Sequence, residues 1–127
     1  HCISGYPTPI NQCNLKAIDT LRKLDKDFKI GWSDHSVDNG VINRAIHKWG
    51  ASIIEFHLDI DGEGDEYKSG HCWLPNQIKK VIDSIKSNKI MDGDGLKNPS
   101  RIEINEREWR ADPEDGLRPL KHIRANY

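Results

Sequence analysis

The sequence lacks any apolar run approaching the roughly 18 residues that a membrane-spanning helix needs, and no signal peptide opens it. It has no excess of either charge: 19 Lys and Arg stand against 20 Asp and Glu, for a net charge of −1. That balance gives no electrostatic reason to expect nucleic acid or an anionic membrane as a partner. Cysteine is also scarce. Cys2, Cys13 and Cys72 are odd in number and contain no CxxC pair, which argues against a disulfide framework and for reduced thiols in a cytoplasmic setting. An initiator Met is missing too, and the opening His1 already reads as strand. We therefore expect a segment of something longer. At 127 residues the chain suffices for one modest domain with a single core.

What is present is a repeated strand-then-helix pattern. His1 to Ser4 reads as a strand, followed by a Gly/Pro-rich loop and a helix from about Asn14 to Leu24. Asn14 is a suitable N-cap, and Leu15, Ile18, Leu21 and Leu24 form one stripe. A second strand, Phe28 to Asp34, precedes a helix from about Asn39 to Trp49, ended by Gly50. A third, Ala51 to Asp59, precedes a Gly/Asp-rich loop and a helix from about Pro75 to Asn88, with Ile78, Val81, Ile82 and Ile85 on its buried stripe. Residues 1–89 thus read as three βα units. Residues 90–127 read as a polar, largely irregular tail with one short element near Arg101–Trp109. Short apolar strands alternating with amphipathic helices mean an α/β fold with a parallel sheet. The repeat of about 25 residues is that of a TIM barrel, whose eight units take ~250 residues, so three units form only a portion of one.

Two of these strands end in histidine, His35 and His57. Strand side chains alternate, so Ser33 shares a face with His35 and Glu55 with His57, while Ile54, Phe56 and Leu58 take the opposite face and pack on helices. Ligands of parallel α/β sheets gather at the carboxyl ends of the strands. Two histidines at equivalent positions, each with a carboxylate nearby (Asp34, Glu55), read either as hydrogen-bonded structural groups or as ligands of a divalent metal. Imidazole with oxygen ligands suits Mn, Fe or Zn better than Mg. In the loop after the first strand, Ser4, Tyr6 and Thr8 offer hydroxyls to a polar ligand, or simply form a Pro-shaped turn. His71 and Cys72 supply one close pair where a structural zinc site wants two, so Cys72 reads as a small buried thiol.

The run His1-Cys2-x-Ser4-x-Tyr6-Pro7-x-Pro9, then Asn14-Leu15-x-Ala17-Ile18, Gly31-x-Ser33-Asp34-His35 and Gly50-Ala51-x-Ile53-Ile54-Glu55-x-His57 resembles the N-acetylneuraminate (sialic acid) synthase family. The resemblance implies the C-terminal part of a catalytic (β/α)8 barrel. It also implies the condensation of phosphoenolpyruvate with an N-acylated amino sugar aldehyde such as N-acetylmannosamine. By the same resemblance His35 and His57 are ligands of a manganese-like ion, with Mg2+, Fe2+ or Zn2+ as alternatives. Ser4 and Ser33 contact phosphoenolpyruvate, Tyr6 shapes the sugar site, and Asp34 and Glu55 orient the imidazoles.

The chain departs from the familiar pattern after its third strand. Where the family has a Gly-Pro-Asp that contacts the sugar, this chain has Asp61-Gly62-Glu63-Gly64-Asp65-Glu66-Tyr67, so Asp65 or Glu66 is expected to do that work. None of the lysines here sits where the family places its key lysines, so the segment alone is expected to be inactive. A homo-oligomer, or the N-terminal part of the barrel, is the expected macromolecular partner. Two other readings remain: a metal-dependent sugar lyase or isomerase, and a non-catalytic partial barrel that binds sugar or metal.

Overall fold

The structure is a computed structural model and describes residues 1–126. Two units are distinguished, one spanning His1–Met91 and a second beginning at Asp92.

In the first unit three parallel strands pair in the order β1 (Gly31–Asp34), β2 (Ile53–Leu58), β3 (Cys72–Trp73). The segment expected as the first strand contributes only an isolated parallel bridge, Cys2 with Ser33. Helices flank the sheet: α1 (Ala17–Leu24), α2 (Asn39–His47), the single-turn α3 (Asp65–Lys68) and α4 (Pro75–Met91). This is the α/β architecture of a portion of a TIM barrel.

Local chemistry explains where these elements begin and end. Gly31 lets β1 lie against β2, because a Cβ there would stand 2.6 Å from the Ile53 carbonyl oxygen. Asp38 caps α2, its carboxylate accepting the Val41 N–H at 3.0 Å. Gly50 ends the same helix with φ +69°, in the left-handed region that glycine enters without penalty. The Gly50 and Ala51 N–H groups bond the Ile46 and Ala45 carbonyls, both at 2.9 Å.

Several expected boundaries shift. Asn14 does not cap α1. It adopts φ 44°, its carbonyl accepts the Ala17 N–H at 2.9 Å, and the helix starts at Ala17 after this turn. Asn tolerates that conformation because its short polar side chain bonds locally. β1 begins at Gly31 rather than Phe28, which is exposed. Leu24, at the end of α1, and Leu58, at the end of β2, are exposed rather than packed.

Two apolar clusters hold the unit. Ile18, Trp32, Val41, Ala45 and Ala51 belong to one, and Ile42, Trp73, Ile78 and Val81 form the other. Asp34, fully buried, joins them. Its Oδ1 accepts the Trp32 indole N–H at 3.1 Å and its Oδ2 the Trp73 indole N–H at 3.0 Å. It also accepts the Ser36 hydroxyl (2.6 Å) and the backbone N–H groups of Ser36 and Val37. An anion in the interior is tolerable only with such a set of donors.

In the second unit, short helical turns cover Glu103–Glu106 (α5), Arg107–Trp109 and Lys121–Arg124 (α6). The element expected near Arg101–Trp109 is thus joined by a second. Asp112 organises the chain between them, accepting the Lys121 N–H at 2.7 Å and the Glu114 N–H at 2.9 Å.

Candidate functional site

The parallel register builds the site in rows. β1 and β2 pair Ser33 with Glu55 and Asp34 with Phe56, so continuing the ladder sets His35 beside His57. β2 and β3 pair His57 with Cys72. The bridge of Cys2 with Ser33 is isolated, and the Ile3 carbonyl goes to the His35 ring. Residues in one row share a face. His35, His57 and Cys72 therefore form a row at the carboxyl ends of the strands, with Cys2, Ser33 and Glu55 on the same face one step earlier.

The His35 and His57 ring centroids are 5.1 Å apart, and those of His57 and His71 are 5.4 Å apart. Tyr6 lies against all three imidazoles, 4.4 Å from His35, 5.0 Å from His71 and 6.1 Å from His57. His35 is buried, and its Nδ1 lies 3.0 Å from the Ile3 carbonyl oxygen. A carbonyl can only accept, so Nδ1 carries a proton, and in the neutral ring Nε2 keeps its lone pair. The Thr8 N–H donates to the His35 carbonyl at 2.9 Å, tying the first loop to this histidine.

His57 is fixed from elsewhere. Its Nδ1 stands 3.0 Å from Glu66 Oε2. This bond is the main reason that the Glu66 carboxyl ionises below its ordinary range; desolvation opposes it, and the nearby His57 and His71 rings and Cys72 thiol add to the effect. Glu66 remains 63% exposed, so the pair contributes orientation more than stability. Cys72 Sγ lies 3.7 Å from the same carboxylate oxygen, and His71 Nε2 lies 3.9 Å from it. Burial first, and the Glu66 charge second, push the Cys72 thiol pKa up.

The candidate residues divide accordingly. His35, His57, Tyr6 and Glu66 converge, whereas Ser4 is exposed, with its Oγ 3.8 Å from Cys2 Sγ. Ser33 and Glu55 share a face as expected, but the Ser33 hydroxyl bonds the Glu55 carboxylate, and the carboxylate that holds His57 is Glu66. Asp34 does not orient an imidazole. Alternation turns it to the helix side, where the two indoles and the following turn take its oxygens. Thr8 is buried, and its hydroxyl is consumed by the Ile3 and Gly5 carbonyls at 3.2 and 2.7 Å. Asp65 is exposed in the first turn of α3, with no side-chain partner among the described residues.

Sequence reasoning passed over His71 and Cys72 as site residues because it sought their partners nearby in the chain. The available signal was the short run His71-Cys72-Trp73 between Gly70 and Pro75, whose Cys72–Trp73 forms the third strand of the sheet. A cavity of about 510 Å3 opens elsewhere, among Cys13, Leu15, Val41 and Trp49. The row of imidazoles, rather than this cavity, gathers the titratable groups.

Imidazoles that keep Nε2 free, beside carboxylate oxygens, are suitable donors for a divalent transition ion. Their other nitrogens are held by a carbonyl and a carboxylate, as is usual for metal-ligating histidine.

The sequence profile of the NeuB family matches residues 1–97. N,N'-diacetyllegionaminic acid synthase of Campylobacter jejuni is 34% identical over 106 residues, covering 81% of this chain and 30% of that protein. N-acetylneuraminate-9-phosphate synthase of Drosophila melanogaster is 32% identical over 91 residues, 71% of this chain and 24% of that protein. Among solved structures, N-acetylneuraminic acid (sialic acid) synthetase of Leptospira borgpetersenii, in complex with citrate, superposes with a TM-score of 0.63 at 31% identity, covering 90% of this chain and 39% of that one. The chain spans about 30% of the length of the first of these relatives. On the extent of these matches, the chain belongs to the NeuB family of N-acetylneuraminate synthases.

Proposed function

We propose that this chain is the metal-binding part of an enzyme that condenses phosphoenolpyruvate with an N-acylated amino sugar aldehyde, such as N-acetylmannosamine, to give a nonulosonic acid. The observation that carries the reading is the pair His35 and His57, on adjacent strand ends with ring centroids 5.1 Å apart and Nδ1 of each already engaged. Relatives named as legionaminic and N-acetylneuraminate-9-phosphate synthases support the class of reaction.

His35 and His57 would hold a divalent ion, Mn2+ by family resemblance, through the Nε2 atoms that remain free. When bound, such an ion supplies a Lewis acid for the aldehyde oxygen. The Ile3 carbonyl sets the His35 ring before substrate arrives, and Glu66 orients the more exposed His57 ring. Tyr6 packs on the imidazoles and limits water on that side. Ser4 and Ser33 offer hydroxyls to phosphoenolpyruvate. Ser33 does so by exchanging its bond to Glu55, whose carboxylate is then free to take a proton from the water captured at the reacting carbon. Phosphoenolpyruvate also needs cationic partners. These are expected on earlier strands of the barrel, so the segment alone should not turn over.

Phosphate release tests this reading. These residues are installed in place of the corresponding part of a full-length relative, and phosphoenolpyruvate, Mn2+ and a panel of N-acylated hexosamines are each omitted in turn. Release that requires all three, and that His35→Ala or His57→Ala abolishes, is expected. No release from a folded protein that binds metal would overturn the reading in favour of a lyase, an isomerase or a binding module.

A further inference from the structure

The side of His57 that faces away from His35 carries a second set of donors. His57, Glu66, His71 and Cys72 each offer a ligand atom, and these atoms all lie within 4.8 Å of one another. They come from three separate places: the end of β2, the single turn α3 and the start of β3. Two of them, His71 and Cys72, are buried.

We propose that His57, Glu66, His71 and Cys72 form a thiolate-containing metal seat that takes a zinc-class ion, distinct in donors and in metal preference from the His35–His57 pair. Spacing is the first argument. Ligands at 2.0–2.3 Å from a tetrahedral zinc lie about 3.3–3.8 Å from one another. The distances from Glu66 Oε2 are 3.0 Å to His57 Nδ1, 3.7 Å to Cys72 Sγ and 3.9 Å to His71 Nε2. These three distances lie within a few tenths of an ångström of that range, and the other pairs lie within 4.8 Å of one another, so the rings and the thiol must close in by up to about 1 Å around a bound ion.

Ring orientation is the second argument. The Ser69 hydroxyl donates its single proton to the Glu66 carbonyl at 2.9 Å. Toward His71 Nδ1, at 3.1 Å, Ser69 Oγ can therefore only accept. His71 thus carries a proton on Nδ1, and in the neutral ring its Nε2 lone pair points at a carboxylate oxygen 3.9 Å away. A ring nitrogen and a carboxylate oxygen at that separation share a cation: the ring proton in the metal-free chain, or a metal ion in its place. Ser69 plays the part of the outer partner that holds a metal-ligating imidazole in one tautomer.

The donor types give the third argument. One thiolate, two imidazoles and a carboxylate favour Zn2+ or Co2+ over Mn2+ and Mg2+, which prefer oxygen. Binding releases the Cys72 thiol proton to solvent. The single ring proton of neutral His57 moves from Nδ1 to Nε2, so this seat and the His35–His57 seat are alternatives through one imidazole.

The test is titration of the metal-free 127-residue chain with Co2+, followed by displacement with Zn2+. A thiolate-to-cobalt charge-transfer band is expected, saturating at one ion per chain and retained in His35→Ala. Cys72→Ser should abolish the band. Ser69→Ala should weaken Co2+ binding roughly 10–100-fold, the usual effect of removing an orienting partner, with the far-UV circular dichroism of the metal-free chain unchanged. Cobalt binding without a charge-transfer band in the unmodified chain would overturn the proposal, whatever the variants do. So would Co2+ affinity that survives Cys72→Ser intact, or a band that His35→Ala removes. None of these readouts depends on turnover, so failure here leaves the synthase reading standing, and failure of phosphate release leaves this one standing.

Discussion

The two histidines at neighbouring strand ends are held in opposite ways. His35 is buried and anchored on every side: Ile3 takes its ring N–H, Thr8 binds its carbonyl, and Asp34 clamps the turn that follows. His57 has a side chain 30% exposed and is fixed mainly by Glu66, itself 63% exposed. The first position is set by the core of the fold. The second depends on a loop that Asp59 organises, its carboxylate accepting the N–H groups of Asp61, Gly62 and Gly64 at 3.1, 2.7 and 3.0 Å. A site built this way has one preset imidazole and one adjustable imidazole. The adjustable one is also the one that the two proposed metal seats share.

The strongest way to break this contrast is Asp34→Ala. It would leave two buried indole N–H groups unpaired, at about 1–3 kcal/mol each, and release the turn after β1. We expect a loss of roughly 3 kcal/mol or more in urea unfolding, with His35 no longer held. A loss below about 1 kcal/mol would show that the clamp is not what fixes this end.

Gly31→Ala strikes the link between the two ends. The added Cβ would meet the Ile53 carbonyl oxygen at 2.6 Å, so the strands must part at a cost of about 1–3 kcal/mol. The expected result is lower stability together with weaker Mn2+ binding, because the strands that carry His35 and His57 separate. Unchanged stability would mean that β1 and β2 approach less closely than described.

The smallest effect is one of pH and sharpens the contrast on the His57 side. Asp59 and Glu66 ionise below their ordinary 3.8 and 4.5, held chiefly by the Gly62 N–H and by His57 respectively. Their contribution is complete above those values and is lost as pH falls through the lower folded-state values. The protection of amides in residues 59–66, measured relative to their intrinsic exchange rates, should therefore fall in acid below about pH 4. Protection that persists to much lower pH would contradict the role of these carboxylates.

Much of the His35 end was legible in the sequence. A strand ending in Ser33-Asp34-His35 and a helix closed by Gly50 follow from alternation and from turn chemistry, which are local rules. Asp34 was misread because its neighbour in sequence suggested an imidazole partner, while alternation turns its side chain to the far face and the indoles of Trp32 and Trp73. The His57 end was less legible. His71 and Cys72 meet His57 through the parallel register of β2 with β3, a two-residue strand too short to announce itself by periodicity, and Glu66 reaches it from the single turn α3. Thr8 illustrates the same limit: its hydroxyl is polar in sequence, yet it is used up by two carbonyls of its own loop.

The most direct test of the account is imidazole nitrogen–proton NMR of the 127-residue chain during addition of small amounts of Mn2+. We expect His35 and His57 to show the proton on Nδ1 before metal is added, and their ring signals to broaden ahead of those of His47 and His122. Broadening that begins at His47 or His122, or that spreads evenly over all the histidines, would contradict the claim that the paired strand-end imidazoles are where this chain holds its ion.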